Sequence, residues 1–116
     1  MNQMRVVQDD SGIRLGWRVS VADSWWPRFR GLLARPPLMK GEGMLLLRCG
    51  SVHTIGMTRA IDVVFVDAEG KVVRSIPRLR PWRLGLGGTE AVHALELPAG
   101  RLDETGTVNG HRLSWS

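Results

Sequence analysis

The sequence predicts a mainly β fold, a compact antiparallel sandwich or barrel-like domain with one short amphipathic helix. Three observations lead there. Short runs rich in aliphatic and β-branched residues recur along the chain, turn residues separate them, and one segment places its apolar positions at helical spacing. A ferredoxin-like α+β fold would need a second full amphipathic helix, for which the chain has no pattern.

The first strand is read from Leu15, Trp17, Val19 and Val21, which alternate with Arg14, Gly16, Arg18 and Ser20 and so predict one buried face. Asp23 or Ser24 then caps a helix whose apolar positions are Trp25, Trp26, Phe29, Leu32 and Leu33. Pro27 falls in its first turn, where a missing N–H costs nothing, Gly31 permits close approach to a sheet, and Pro36 and Pro37 end it. Further strands are expected at Met44–Leu47, Ile61–Val66, Lys71–Ile76, Ala91–Leu97 and His111–Trp115. Asp67, Ala68, Glu69 and Gly70 form a glycine-ended link that reads as a β-hairpin. Between Pro77 and Glu90 the composition shifts to Pro, Arg and Gly, a long loop that is mobile or functional, and Gly100 to Gly110 has room for one helical turn.

The 116 residues, 43% hydrophobic and 23% charged, suit one domain over 1–116 with a real core. One cysteine forms no internal disulfide, so packing alone must hold the fold and no oxidising compartment is required. No apolar stretch has the length of a signal peptide or membrane span, and the expected location is the cytoplasm, with no membrane partner. The net charge of +5 is small for a dedicated nucleic-acid binder, so nucleic acid is not the expected partner. A basic stretch does occur at Arg78, Arg80 and Arg83 around Trp82, where phosphate attraction and base stacking are available in principle.

Chemistry concentrates between Arg48 and Ile76, which holds the lone Cys49, His53, Met57 and the hydrophobic strand IDVVFVD. Ile61, Val63, Phe65 and Asp67 point one way and Asp62, Val64 and Val66 the other, so both faces are apolar and the strand is central. Asp62 heads an apolar row, and Glu96 shares a face with Val92 and Ala94. A carboxylate at a core edge must be hydrogen-bonded, paired or neutral. Each therefore either anchors a loop, through backbone amides or an arginine such as Arg48 or Arg59, or lines a pocket as one half of an acid and base pair.

Cys49, His53 and Met57 recur at intervals of four, but an extended step of four spans about 13 Å, too far for one ion, so no metal or cofactor is expected. Cys49 reads as a small buried hydrophobe. His53 and Met57 read as parts of a loop that brings an imidazole and a thioether near Asp62. His93 and His111 carry no partner motif and read as structural or surface residues.

The succession RGLLARPPLMKGEGMLLL, SVHTIGMTRAIDVVFVDAEGKVVRSI, LRPWR, ALELPAG and a terminal GHRL, over roughly Val19 to Trp115, resembles domain-of-unknown-function family 192. The resemblance implies a small β-sandwich-like barrel with a short helix and no known reaction. It also marks Arg30, Gly31, Leu32, Glu42, Gly43, Met44, His53, Met57, Asp62, Glu96 and Gly100 as the positions that match the family motif. The chain departs from the family at Ile55–Met57, where an aromatic is common, at Ala60, where a proline is, and at His111, where the family has aspartate. A function that needs that terminal carboxylate is not expected here.

These readings yield three expectations. The first is a non-catalytic domain that binds a small polar ligand or a protein partner near the central strand through His53, Met57, Asp62 and Glu96, with Arg30 or Arg59 supplying charge. The second is a hydrolase-like enzyme using Asp62 or Glu96 with His53. The third is phosphate or nucleic-acid binding through Arg78, Arg80, Trp82 and Arg83.

Overall fold

The computed structural model describes residues 4–22 and 37–116. The chain runs β1 (Met4–Asp9), β2 (Arg14–Ala22), β3 (Glu42–Leu46), β4 (Ser51–His53), β5 (Ile61–Val66), β6 (Val72–Leu79), β7 (Leu84–Leu86), β8 (His93–Pro98), helix α1 (Arg101–Thr105) and β9 (Leu113–Trp115). Seven strands form one sheet in the order β6-β5-β8-β3-β2-β1-β9, while β4 and β7 form a separate antiparallel ribbon.

The sheet's two ends meet. Backbone bonds from Gly110 N–H to the Val72 carbonyl, Val72 N–H to the His111 carbonyl and Leu113 N–H to the Gly70 carbonyl join the start of β6 to the approach of β9. The mainly β, barrel-like expectation holds, with one correction to its antiparallel character: β2 and β3 pair in parallel. Parallel neighbours need a crossover of a dozen or more residues, and the segment between Ala22 and Glu42 is that long. The helix expected from Asp23 or Ser24 to Pro36 lies outside the described residues. The described helix is α1, in the stretch where one turn was anticipated.

Two apolar layers follow from the alternation of side chains across strands. The first contains Leu15, Val19, Leu45, Val64, Val66, Leu95, Leu97 and Leu113, with Leu102 of α1 packed against them. The second, on the opposite face, contains Leu46, Ile61, Val63, Phe65 and Ala94, with Val52 of β4 packed over them. All six residues of β5 are buried, as its two apolar faces predict. Gly85 and Gly87 let the ribbon approach, because a Cβ on Gly85 would meet Leu79, Ile76 and Val52 at 3.1–3.3 Å and one on Gly87 would meet Ala91 and the Phe65 ring at 2.5 Å.

Trp17 departs from the alternation and is 40% exposed. The register of β2 against β1 steps from Val7–Gly16 to Arg5–Val19, and the amides of both Trp17 and Arg18 donate to the Gly41 carbonyl. Two residues thus occupy one ladder position, a β-bulge that turns Trp17 outward. There it lies over Gly41 and under the Arg101 guanidinium, 5.5 Å from the ring centre.

The Asp67–Gly70 hairpin is present, with Gly70 N–H donating to the Asp67 carbonyl and Val66 paired with Val72. The stretch expected as a long loop from Pro77 to Glu90 is instead partly strand, since β6 continues to Leu79 and β7 follows. Thr54 fixes the turn between them. Its hydroxyl donates to the Arg80 carbonyl at 2.6 Å and accepts from the Arg83 amide at 2.8 Å, while its own amide bonds the Arg83 carbonyl.

Candidate functional site

Asp62 heads the row of β5 that faces the first apolar layer and is 0% exposed. Its partner strand β6 carries a bulge at Pro77–Arg78, where the register steps from Val63–Ile76 to Ile61–Leu79 and Arg78 adopts the left-handed conformation at φ 51°. The bulge leaves the Arg78 amide without a ladder acceptor, and Asp62 Oδ1 accepts it at 2.9 Å. Oδ2 accepts the Leu102 amide of α1 at 2.8 Å. One carboxylate thereby joins β5, the β6 bulge and the helix. Of the two roles open to Asp62, loop anchor or pocket residue, the geometry is that of an anchor.

Glu96 is equally buried but stands on the opposite face. Asp62 is paired with Leu97 and Val63 with Glu96, and neighbours along a strand point to opposite sides. The two carboxylates therefore cannot act as one acid and base pair, which corrects that expectation. Glu96 lies between Met44 and Val63 in the cross-strand row, on the side of the second layer.

On this second side a cleft of about 320 Å³ opens at the ends of β5 and β8. Its floor is the cross-strand pair Ile61–Pro98 with Ala99, one wall is Gly56–Ala60, and the other is Pro37 with Leu38. A tight turn shapes the first wall: the Met57 amide donates to the Thr54 carbonyl, with Gly56 at φ 82°. Met57 and Arg59 of the anticipated site line this cleft, and Glu96 lies two residues along the same face from Pro98. Arg59 is the one ionisable side chain among the described lining residues.

His53 ends β4 opposite Leu84, with its Nδ1 accepting the Ile55 amide at 3.3 Å, and is not among the lining residues. Arg30 lies outside the described residues. Sequence reading missed Thr54, Pro98 and Ala99. The last two stand in the ELPAG motif, which pointed to Glu96, while the cleft forms two residues further on.

The basic stretch is divided. Arg78 bonds Asp103 at 2.9 Å, whereas Arg80 and Arg83 are exposed beside Trp82 and form no ion pair with a described carboxylate. Cys49 is a half-buried free thiol whose Sγ donates to the Ser51 carbonyl and which packs against the second layer. The described residues contain no group of three His, Cys, Asp or Glu able to hold a metal ion.

Three groups set an acid limb of stability. Burial opposes ionisation of Asp9, but the Ser11 hydroxyl, the Ile13 and Ser11 amides and nearby His111 outweigh it and hold its carboxyl below the ordinary 3.8. The Lys71 amide, opposed by desolvation and helped by the Glu69 amide and the charges of Lys71 and Arg112, does the same for Asp67. Burial, joined by the charge of Arg48, lowers His93 below 6.5, and its Nδ1 accepts the Arg48 amide at 2.9 Å. In each case the unfolded chain binds the proton more readily, so these contributions rise with pH. The His93 contribution is full above pH 6.5 and lost as pH falls through its folded value, and the Asp9 and Asp67 contributions are full above 3.8 and lost below it. Melting curves across pH should therefore fall in two steps on acidification. His93→Asn should remove the upper step, and a wild-type profile flat from pH 8 to 5 would contradict the assignment.

The family model of DUF192, described as "Uncharacterized ACR, COG1430", matches residues 6–115. The UPF0127 protein of Pyrococcus furiosus is 34% identical over 101 residues, covering 84% of this chain and 86% of that protein. That of Thermococcus sibiricus is 32% identical over 102 residues, covering 84% of this chain and 66% of that protein. Among solved structures, a protein of unknown function from Novosphingobium aromaticivorans superposes with a TM-score of 0.83 at 22% identity, covering 98% of this chain and 85% of the other. A putative transcription regulator from Sinorhizobium meliloti gives 0.83 at 20% identity, covering 99% and 94%. At these identities the two structures establish the shared fold.

Proposed function

The chain belongs to the DUF192 family, whose members bring no assigned reaction, and from that premise we propose that it is a non-catalytic binding domain whose cleft takes a small anionic ligand. The observation that carries the reading is the composition of the cleft. Apolar Ile61, Pro98, Leu38 and Met57 surround a space large enough for a small molecule, and Arg59 offers the charge at its wall. Met57 adds a polarizable side chain that adapts to irregular shapes. A hydrolytic site would need a positioned base within hydrogen-bond reach of the bound substrate. Asp62 has both oxygens on backbone amides, Glu96 is fully buried, and His53 sits on the ribbon, so binding accounts for the lining better than turnover does.

The setting that fits this reading is the cytoplasm, where Cys49 stays reduced. No helix among the described residues is long and apolar enough to cross a membrane.

Thermal-shift measurements against small carboxylates, phosphate esters, nucleotides and amino acids test the proposal. A ligand at 100 times its dissociation constant adds about 2.7 kcal/mol, a rise of roughly 10 °C for a domain of this size. The expected result is a rise with an anionic compound that Arg59→Glu abolishes and His53→Gln leaves in place. A rise that survives Arg59→Glu, or no rise across the panel, would overturn it.

A further inference from the structure

We infer that the outer edge of β7 is a docking site for an extended, acidic segment of a partner polypeptide. Strand β7 is amphipathic in the reverse sense: its glycine faces the core, while Leu84 and Leu86 are 64% and 54% exposed. At the ribbon's end Trp82 and Ile55 are 65% and 46% exposed, brought together by bonds from Trp82 N–H to the Thr54 carbonyl and from Thr54 N–H to the Arg83 carbonyl. A contiguous exposed apolar surface is a mark of an interaction site.

The backbone says what kind of partner fits. Bonds from Gly87 N–H to the Gly50 carbonyl and from Thr54 N–H to the Arg83 carbonyl bracket the ladder, so Val52–Gly85 is its hydrogen-bonded pair. The amides and carbonyls of Leu84 and Leu86 consequently point away from β4, toward an edge with which no described strand pairs. A bilayer offers apolar contact but no ladder for these groups. An added strand satisfies them and covers the leucines at alternate positions. Arg80 and Arg83, exposed beside the row and without a described carboxylate partner, select for acidic residues in that strand. A second copy of this chain would leave both arginines without a counter-charge, because the paired β7 itself carries none.

The site shares no residue with the cleft lining and stands independently of the proposed ligand. A phage-displayed library of random linear peptides, selected against the full chain, provides the test. The enriched peptides should alternate apolar or β-branched residues with Asp or Glu, and binding should protect the Leu84 and Leu86 amides from hydrogen exchange. Affinity should fall about tenfold or more, the equivalent of about 1.4 kcal/mol, in Arg80→Glu/Arg83→Glu and in Leu84→Ser/Leu86→Ser. Every substituted side chain is exposed, so melting temperatures should stay near wild type and loss of fold is separable from loss of binding. Enrichment of peptides without acidic residues, protection confined to the Gly56–Ala60 wall, or affinity unchanged in both variants would overturn the proposal. So would sedimentation of a dimer that Leu84→Ser/Leu86→Ser dissolves, since it would put a second copy on the edge.

Discussion

Asp62→Ala should lower stability by about 3–5 kcal/mol, because it removes two charge-assisted bonds to backbone amides and leaves the buried Leu102 amide without its acceptor. The Arg78 amide sits on a bulge and the Leu102 amide begins α1, so neither finds a substitute among its strand or helix neighbours. For a domain with a typical margin of about 5–15 kcal/mol, that is a large fraction of the total. The melting temperature should drop by roughly 15 °C or more. Asp62→Asn keeps one acceptor but turns an amide donor toward a backbone donor, so it should lie between wild type and Asp62→Ala. The ordering matters because it separates two roles. An anchor produces graded loss of stability through the series, whereas a ligand-contacting carboxylate would leave the melting temperature near wild type and alter binding alone. Urea unfolding of the three proteins, with ligand-free samples, decides between them.

The same residue shows how far the sequence could be read. That Asp62 must be bonded followed from a carboxylate heading the apolar row of Val64 and Val66. Which groups it bonds did not, because they belong to a bulge and a helix start separated from it by 16 and 40 positions. Strong alternation or continuous apolar runs were legible: β2, β3, β5 and β8 lie where they were expected, with ends shifted by a few residues. Strands β1, β4 and β7 were not, whereas the three-residue β9 lies within the expected His111–Trp115 run. Strands β4 and β7 are too short for a period, and the Gly85 that fits β7 to the core reads as loop when taken alone. Pro77 suggested the end of β6, yet a bulge tolerates proline and the strand goes on to Leu79. Trp17 was placed inside by a rule that assumes one residue per ladder position, which a bulge breaks. Met57 and Arg59 line the cleft because they follow a glycine turn that leads into the central strand. His53, four positions before Met57, is not among the lining residues because it ends β4, paired with Leu84 in the ribbon.

Gly70→Ala should cost about 3 kcal/mol or more, and the reason lies in how the sheet's ends meet. Gly70 has φ 86°, where an alanine pays about 1–2 kcal/mol for its Cβ. Its added Cβ would also stand 2.4 Å from the Leu113 carbonyl oxygen, a backbone atom that no rotamer change can move. The Leu113 amide bonds the Gly70 carbonyl at 2.8 Å, so relieving the clash pulls β9 off the hairpin and disturbs the Lys71–Arg112 bridge beside it. Gly12 provides the control. Its φ of 89° is nearly the same, but a Cβ there meets nothing within 4 Å, so Gly12→Ala should register the conformational cost alone. The difference between the two variants in urea unfolding measures what the junction of β6 and β9 contributes. Equal losses at the two positions would mean that the ends of the sheet separate without penalty, and the barrel would then be held by its core alone.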